Sequence, residues 1–396
     1  MNEACAHCER RRRLLGSLSA RLDYRARDPE RFWRLLELAD SELIDAIGGR
    51  RREELHRAYM ESSAGTDNAN ASIDTLCRHS RGYPPGLQSN ALAPHALAVR
   101  GAGARLAGML REKVVAIVGT RRATDYGMET ARALARDLAV SGVTVASGLS
   151  EGIATAAHAG ALEAGRPTLT VLASGLDRAA PASCRALCNR IVESGCAISE
   201  APATLPSHYW AMLAGSRTLA LLAGLTIVVE AEDRPSELAC AHVTQALGKP
   251  VAAVPGRLTS SASRGTNLLL MGGAHLIRDS RDALDLLHGA GANTALDPEP
   301  EHESEPEIEV DPRLRTVLDR VGAGEDTLPR LMGHDNGTDG LMLALVELEL
   351  RGLLLRGDGG RYVVGAGARA VQPSRRQRDH RGRPRRKSVP HAHRHR

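Results

Sequence analysis

A doubly wound α/β domain is predicted for the middle of this chain by two observations. From Lys113 onward, short continuous apolar runs alternate with longer amphipathic ones, which is how a parallel sheet buried on both faces reads in sequence. Several of those runs end in small-residue turns that enter a helix, as in Val118-Gly119-Thr120-Arg121-Arg122 and Ser147-Gly148-Leu149-Ser150. Open α/β sheets bind their ligands at such carboxyl strand ends.

The pattern predicts strands at 114–118, 143–147, 168–172, 196–199, 226–230, 251–254 and 275–277, with helices over 127–141, 152–164, 181–194, 208–223, 236–247 and 281–288. Ahead of this domain, residues 10–60 read as helices: Arg10–Ser19, a second beginning at Pro29 after Asp28, and a third with Ser41 as its N-cap. Residues 61–72 are small and polar, hence a linker, and 73–111 read as irregular around Tyr83-Pro84-Pro85. Residues 289–312 form an acidic linker, with eight carboxylates and no Lys or Arg between Asp297 and Asp311. Residues 313–364 then read as helices at 313–320 and 338–351 followed by a hairpin around Asp358-Gly359-Gly360, the order of a winged helix. The expected division is 1–72 for the helical region and linker, 73–288 for the α/β domain with its lead-in, 289–312 for the acidic linker, 313–364 for the winged helix, and 365–396 for a disordered basic tail.

Composition limits the function. With 396 residues and only nine aromatics, the core must be built from Ala, Leu and Val, and serial base stacking on aromatic platforms is disfavoured. Net charge is +5, but residues 365–396 carry eleven Arg/Lys against one acid, so the body is mildly acidic. No opening signal peptide and no apolar run long enough to span a bilayer are read, and seven scattered cysteines suit reduced thiols, so a cytoplasmic protein without membrane contact is expected.

The chemistry concentrates at the strand ends. A Gly-containing turn entering a helix aims N–H groups and a positive dipole at an anion, and Arg121 and Arg122 add charge-assisted contacts to phosphate. Solvated arginines on a plain βα turn are the competing reading, because neither G-x-G-x-x-G nor a Walker lysine occurs there. Ser174-Gly175-Leu176-Asp177-Arg178 ends the third strand, so Arg121 and Arg178 are expected to border one cleft with the backbone N–H groups of Thr120 and Ser174. His158 reads as a packed core histidine, and Asp177 as a partner of Arg178 or a cap.

These pieces occur in a familiar order. VAIVGTRRAT (115–124), SGLSEGIATAAHAGALEAG (147–165), VLASGLDRAAP (171–181), AISEAP (197–202), LTIVVEAEDR (225–234), ALGKPVAAVPG (246–256) and SRGTN (263–267), led by LCRHSRGYPPGL (76–87), resemble the DNA processing protein A family, DprA or Smf. The Cys5-x-x-Cys8 opening resembles actinobacterial members, and VELELRGLLLRGDGGRYVV resembles the family's winged helix. The resemblance implies a Rossmann-like domain that binds single-stranded DNA, dimerises through that domain and loads a RecA-type recombinase in natural transformation, with no catalysis and no cofactor. By motif position it implies DNA contacts from Gly119, Thr120, Arg121, Arg122, Ser147, Gly148, Gly175, Arg178, Arg217, Arg264, Gly265, Thr266 and Asn267. The chain departs from the family pattern at Glu151 (an arginine there), Ala154 (an aspartate), Gly215 and Ser216 (within R-N-R), and Pro235 to Leu238 (usually S-G-S-L). A carboxylate beside a phosphate site repels it by about 1 kcal/mol at a solvated surface.

Two further readings stand beside this one. A nucleotide-processing enzyme would need a P-G-G-x-G-T turn, which is missing, with Glu230 as its acid; a degenerate family member would keep the dimer and lose the DNA. Helix 338–351 carries Asp339, Glu347 and Glu349, which suits a protein partner better than a DNA groove. Cys5-x-x-Cys8 is half of a zinc site that His7 and Cys77-x-His79 could complete, but unpaired thiols at a frayed terminus, without metal, are expected. Arg10 to Arg13 read as a solvated helix start.

Overall fold

The computed structural model describes residues 4–62, 72–88, 90–101, 103–178, 182–288, 311–332, 338–357 and 360–365. The chain forms two units, Met1–Ala295 and Leu296–Arg396. The predicted linkers at 61–72 and 289–312 and the basic tail fall largely outside the described residues.

The first unit is built on a nine-stranded sheet. Its strands are β1 (Ile73–Cys77), β2 (Ala96–Arg100), β3 (Val114–Val118), β4 (Thr144–Gly148), β5 (Thr168–Val171), β6 (Cys196–Ser199), β7 (Leu225–Val228), β8 (Val251–Ala253) and β9 (His275–Leu276). Their spatial order is β1-β2-β6-β5-β4-β3-β7-β8-β9, with β6 through β9 in that order all parallel. Side chains alternate across a strand, and β3 shows what that does. Val115 and Ile117 enter a core with Ala131, Leu134 and Leu138 of the helix Asp125–Val140. Val114 and Ala116 face the opposite core, against Leu219 and Ala220 of the helix Tyr209–Leu222. With so few aromatics, close approach does the packing: a Cβ on Gly160 would lie 2.1 Å from the Arg132 carbonyl oxygen of the neighbouring helix.

The seven parallel strands, the five predicted helices between them and the helix after β9 lie within a few residues of their predicted places, and the helix Arg264–Met271 between β8 and β9 was not anticipated. β1 and β2 do not follow the expectation that 73–111 is irregular. They pair antiparallel with each other, and β2 joins β6 antiparallel, extending the sheet by two strands. No long helix separates β1 from β2 in the way that marks the parallel strands, and the pairing of β2 with β6 joins residues about a hundred apart.

Two N-terminal readings need correction. The third helix is Asp40–Ile47, so Ser41 lies in its first turn, and the Glu42 carboxylate accepts the Ala39 N–H at 3.0 Å. Arg11 and Arg12 are buried rather than solvated. Arg11 pairs with Asp40 at 2.6 Å and donates to the carbonyls of Leu36 and Leu38, while Arg12 pairs with Glu9 at 2.8 Å. Burial is possible because each guanidinium finds a carboxylate. Leu14, Leu18, Leu22, Phe32 and Ile44 pack the N-terminal helices onto Trp210, Leu213 and Ala214 of the helix Tyr209–Leu222.

The second unit holds the helices Pro312–Gly322, Leu328–Met332 and Thr338–Leu350, then an antiparallel ribbon of β10 (Leu354–Gly357) and β11 (Arg361–Val364). Asp311 caps the first helix by accepting the Arg313 N–H at 2.9 Å. Leu314, Leu318, Leu345, Leu348 and Tyr362 form its core.

Candidate nucleic-acid interface

Strand order reverses at β3, which has β4 on one side and β7 on the other. Carboxyl ends of strands at such a switch point leave a crevice. The turn leaving β3 is fastened from below. A Cβ on Gly119 would meet the Glu230 carbonyl oxygen at 2.4 Å. The Thr120 N–H donates to that same oxygen at 2.6 Å, and the Thr120 carbonyl accepts the Ile153 N–H. The Glu230 carboxylate, 3% exposed, accepts the Thr124 N–H at 2.9 Å and the Thr124 hydroxyl at 2.6 Å. Thr124 Oγ1 in turn accepts the Gly127 N–H and caps the helix Asp125–Val140. What this leaves at the surface is the tip, Arg121 and Arg122, both exposed.

The turn after β4 is fixed by Gly152, whose φ is +84° and whose Cβ would lie 2.4 Å from the Thr120 carbonyl oxygen. Glu151 before it is exposed, and among the described residues no ion pair joins it to Arg121 or Arg122. His158 is fully buried as expected, bonded to Thr168 Oγ1 at 2.8 Å and the Gly148 carbonyl at 2.9 Å, and desolvation lowers its pKa to about 4. After β5, the Gly175 N–H donates to the Leu205 carbonyl and no room exists for a Cβ beside Pro202 and Ala203. Arg178 is exposed. Among the described residues, Asp177 neither pairs with Arg178 nor caps a helix: both its carboxylate oxygens are buried without a hydrogen-bond partner there.

Among the described residues, exposed cations at this edge of the sheet include Arg121, Arg122, Arg178 and Arg264, the last opening the helix Arg264–Met271, and Arg234 after β7, which pairs with Glu232. Arg257 after β8 is also exposed and was not anticipated; the Pro255-Gly256 turn before it was its signal.

Several anticipated contacts are placed otherwise. Arg121 and Arg178 do not leave adjacent strands, because β4 lies between β3 and β5; at ~4.8 Å per strand their strand ends stand about 10 Å apart. The Thr120 N–H is spent on Glu230 and does not face the crevice. Ser147 is buried and donates to the Ile117 carbonyl, Gly265 donates its N–H to Ala231, and Thr266 donates to the Ser263 carbonyl. The Asn267 amide brackets the backbone of Gly256 from both sides, as donor at 3.1 Å and acceptor at 3.3 Å. These residues shape the turns rather than present donors.

Arg217 is corrected most clearly. It is 4% exposed and ion-paired to Glu200, whose other carboxylate oxygen takes the Thr218 hydroxyl. Trp33 of the N-terminal helices lies over the guanidinium at 5.9 Å. Burial raises the Glu200 pKa, with Arg217 and the hydrogen bonds pulling it back.

The expected frayed terminus with surface thiols is corrected as well. Cys5 occupies the N-cap position of the helix Ala6–Ser17, and Cys8 and Cys77 are buried against each other. The ligand atoms of Cys5, Cys8, Cys77 and His79 all lie within 4.8 Å of one another. The N-terminal helix reaches Cys77 only because β1 and β2 join the sheet, which the sequence did not reveal.

Fold and crevice define a Rossmann-like α/β protein with an arginine-bearing strand-end face at its topological switch point. The family described as DNA recombination-mediator protein A matches residues 74–288, and the chain belongs to it. A Mycobacterium tuberculosis protein named as a DNA processing protein DprA is 36% identical over 265 residues, 65% of this chain and 66% of that protein. The chain thus spans about two thirds of that relative's length. Protein Smf of Escherichia coli is 30% identical over 289 residues, 71% of this chain and 74% of Smf. The crystal structure of DNA processing protein A from Streptococcus pneumoniae aligns with a TM-score of 0.54 at 26% identity, covering 62% of this chain and 86% of that one.

Proposed function

We propose that the chain binds single-stranded DNA along the strand-end face bearing Arg121, Arg122, Arg178, Arg257 and Arg264, and delivers it to a RecA-type recombinase during natural transformation. It acts without catalysis of its own, in the cytoplasm, as a homodimer through the Rossmann-like unit. What supports this reading is the exposed arginine tip of the β3 turn, held rigid at the switch point by Glu230 and Gly119, in a chain of the recombination-mediator family. The affinity is electrostatic and salt-dependent, with little sequence preference, because few aromatic platforms are available. Against the hydrolase alternative stands the engagement of both oxygens of its candidate acid, Glu230, by Thr124. The order of helices and ribbon in 312–364 fits a winged helix, and the acidic Thr338–Leu350 helix suits a protein partner better than a duplex.

The test is a fluorescence titration of an unstructured oligonucleotide over a salt series, run beside a nucleoside monophosphate hydrolysis assay. Arg121→Ala and Arg178→Ala should each weaken binding and flatten the log–log salt slope by about 0.7. A double variant that binds as wild type does places the DNA elsewhere, and turnover of the nucleotide overturns the non-catalytic reading.

A further inference from the structure

Four side chains from two distant segments meet at one end of β1. Cys5 and Cys8 come from the start of the helix Ala6–Ser17, and Cys77 and His79 from the end of β1 and the turn after it. His79 Nδ1 lies 3.3 Å from Cys5 Sγ and 3.4 Å from Cys8 Sγ. The Cys5 N–H points at Cys77 Sγ at 3.4 Å. All four ligand atoms fall within 4.8 Å of one another. A tetrahedral zinc with Zn–S of ~2.3 Å and Zn–N of ~2.0–2.1 Å needs ligand atoms roughly 3.5–3.8 Å apart, so every edge of the cluster lies within about 1 Å of that polyhedron's.

We propose that Cys5, Cys8, Cys77 and His79 form a structural zinc site of the Cys3His type. The donor set and the closure of the site decide for a structural role. Four protein ligands fill a tetrahedron and leave no position for water or substrate. Cys8 and Cys77 are 0% and 1% exposed. Three thiolates and a neutral imidazole around Zn²⁺ carry a net charge of −1. The first turn of the helix Ala6–Ser17, where Cys5 is the cap and Cys8 lies three residues on, supplies the positive end of a dipole to offset it. The Ser80 hydroxyl accepts the Cys77 N–H at 3.1 Å and donates to the Cys77 carbonyl at 2.8 Å, so the turn carrying His79 is held in place. A Cys5–Cys8 disulfide would leave Cys77 and His79 without a role. An iron–sulfur cluster divides its ligands between metals and spreads them wider than one ion does.

The site fastens the N-terminal helices to the edge of the sheet. Those helices carry Trp33, which covers Arg217, so the metal also holds the lid over the Glu200–Arg217 pair. Metal binding to a closed site of this kind is folding free energy for the segments it joins.

The full chain, expressed with zinc in the medium and purified under reductant without chelator, is read by plasma emission for metal per chain. One zinc per chain is expected in the wild type and its loss in His79→Ala, with a lower melting temperature. Replacing zinc by cobalt(II) should give the intense red-region absorption and thiolate charge-transfer bands of a tetrahedral sulfur site. Those bands separate this site from His391, His393 and His395 of the tail. Where Cys8→Ser does not fold, the partly exposed Cys5→Ser and the cobalt spectrum of the wild type carry the test. A metal-free protein with seven titratable thiols that takes up no zinc overturns the proposal. So does a brown iron–sulfur absorption, or a Cys5–Cys8 disulfide found by mass spectrometry under reductant.

Discussion

Replacing Arg217 with methionine separates a structural role from a DNA contact. The guanidinium is 4% exposed and the Glu200 carboxylate 7%, and they pair directly beneath Trp33. Removing one partner of a buried pair strands the other charge, which typically costs about 3–5 kcal/mol. At roughly 2–4 °C per kcal/mol for a domain of this size, the melting temperature should fall on the order of ten degrees. The loss depends on pH with a definite sign. Burial already raises the Glu200 pKa, and the Arg217 charge is the strongest influence pulling it down, so its removal raises the folded value further. Between the unfolded value and that raised value the folded state binds more protons, so stability falls as pH rises. The variant's deficit is therefore larger at neutral pH than near pH 5, as read by calorimetry at both. Glu200→Gln in the same chain should recover much of the loss, because no uncompensated charge remains. An Arg217→Met protein that melts within a degree or two of wild type but loses affinity for single strands would refute the reasoning and return Arg217 to the DNA.

Glu151→Arg should tighten single-strand binding roughly thirtyfold at low salt, since it exchanges a repulsion for an attraction of about 1 kcal/mol each; unchanged affinity would move the strand off this face. Gly127→Ala pushes a Cβ to 2.2 Å from the Glu230 carboxylate, and the overpacking should cost about 1–3 kcal/mol in chemical denaturation; a neutral result would mean the Thr124–Glu230 cap yields easily. His158 is buried neutral with its pKa lowered from 6.5 to about 4. The unfolded chain therefore binds a proton that the folded one refuses, and about 3 kcal/mol of stability should drain away as pH falls across that window. His158→Gln should flatten that part of the profile, and an unaltered slope would assign the acid sensitivity elsewhere.

The sequence by itself determined the parallel sheet and its switch-point turns, because continuous apolar runs and Gly-rich βα corners are local signals. Gly119, Gly152 and the Arg121–Arg122 tip could be found without coordinates, and so could the family, whose motifs keep their order from 76 to 267. Tertiary structure decided what pairing at long range decides. β1 and β2 are no shorter than β3 and β4, but they lie outside the alternation of strand and helix that marks the parallel strands, and they are strands because β6 offers an edge. Arg11, read as a solvated cation, and Arg217, taken from the resemblance as a DNA contact, are each neutralised by a carboxylate from elsewhere in the fold, whereas Arg12 pairs with Glu9 one turn away and is buried by what packs over both. Burial of a charge is a property of its partner as much as of its own segment. The Cys5, Cys8, Cys77 and His79 cluster has the same origin: spacing showed two halves, and only the added strands brought them within reach of one ion.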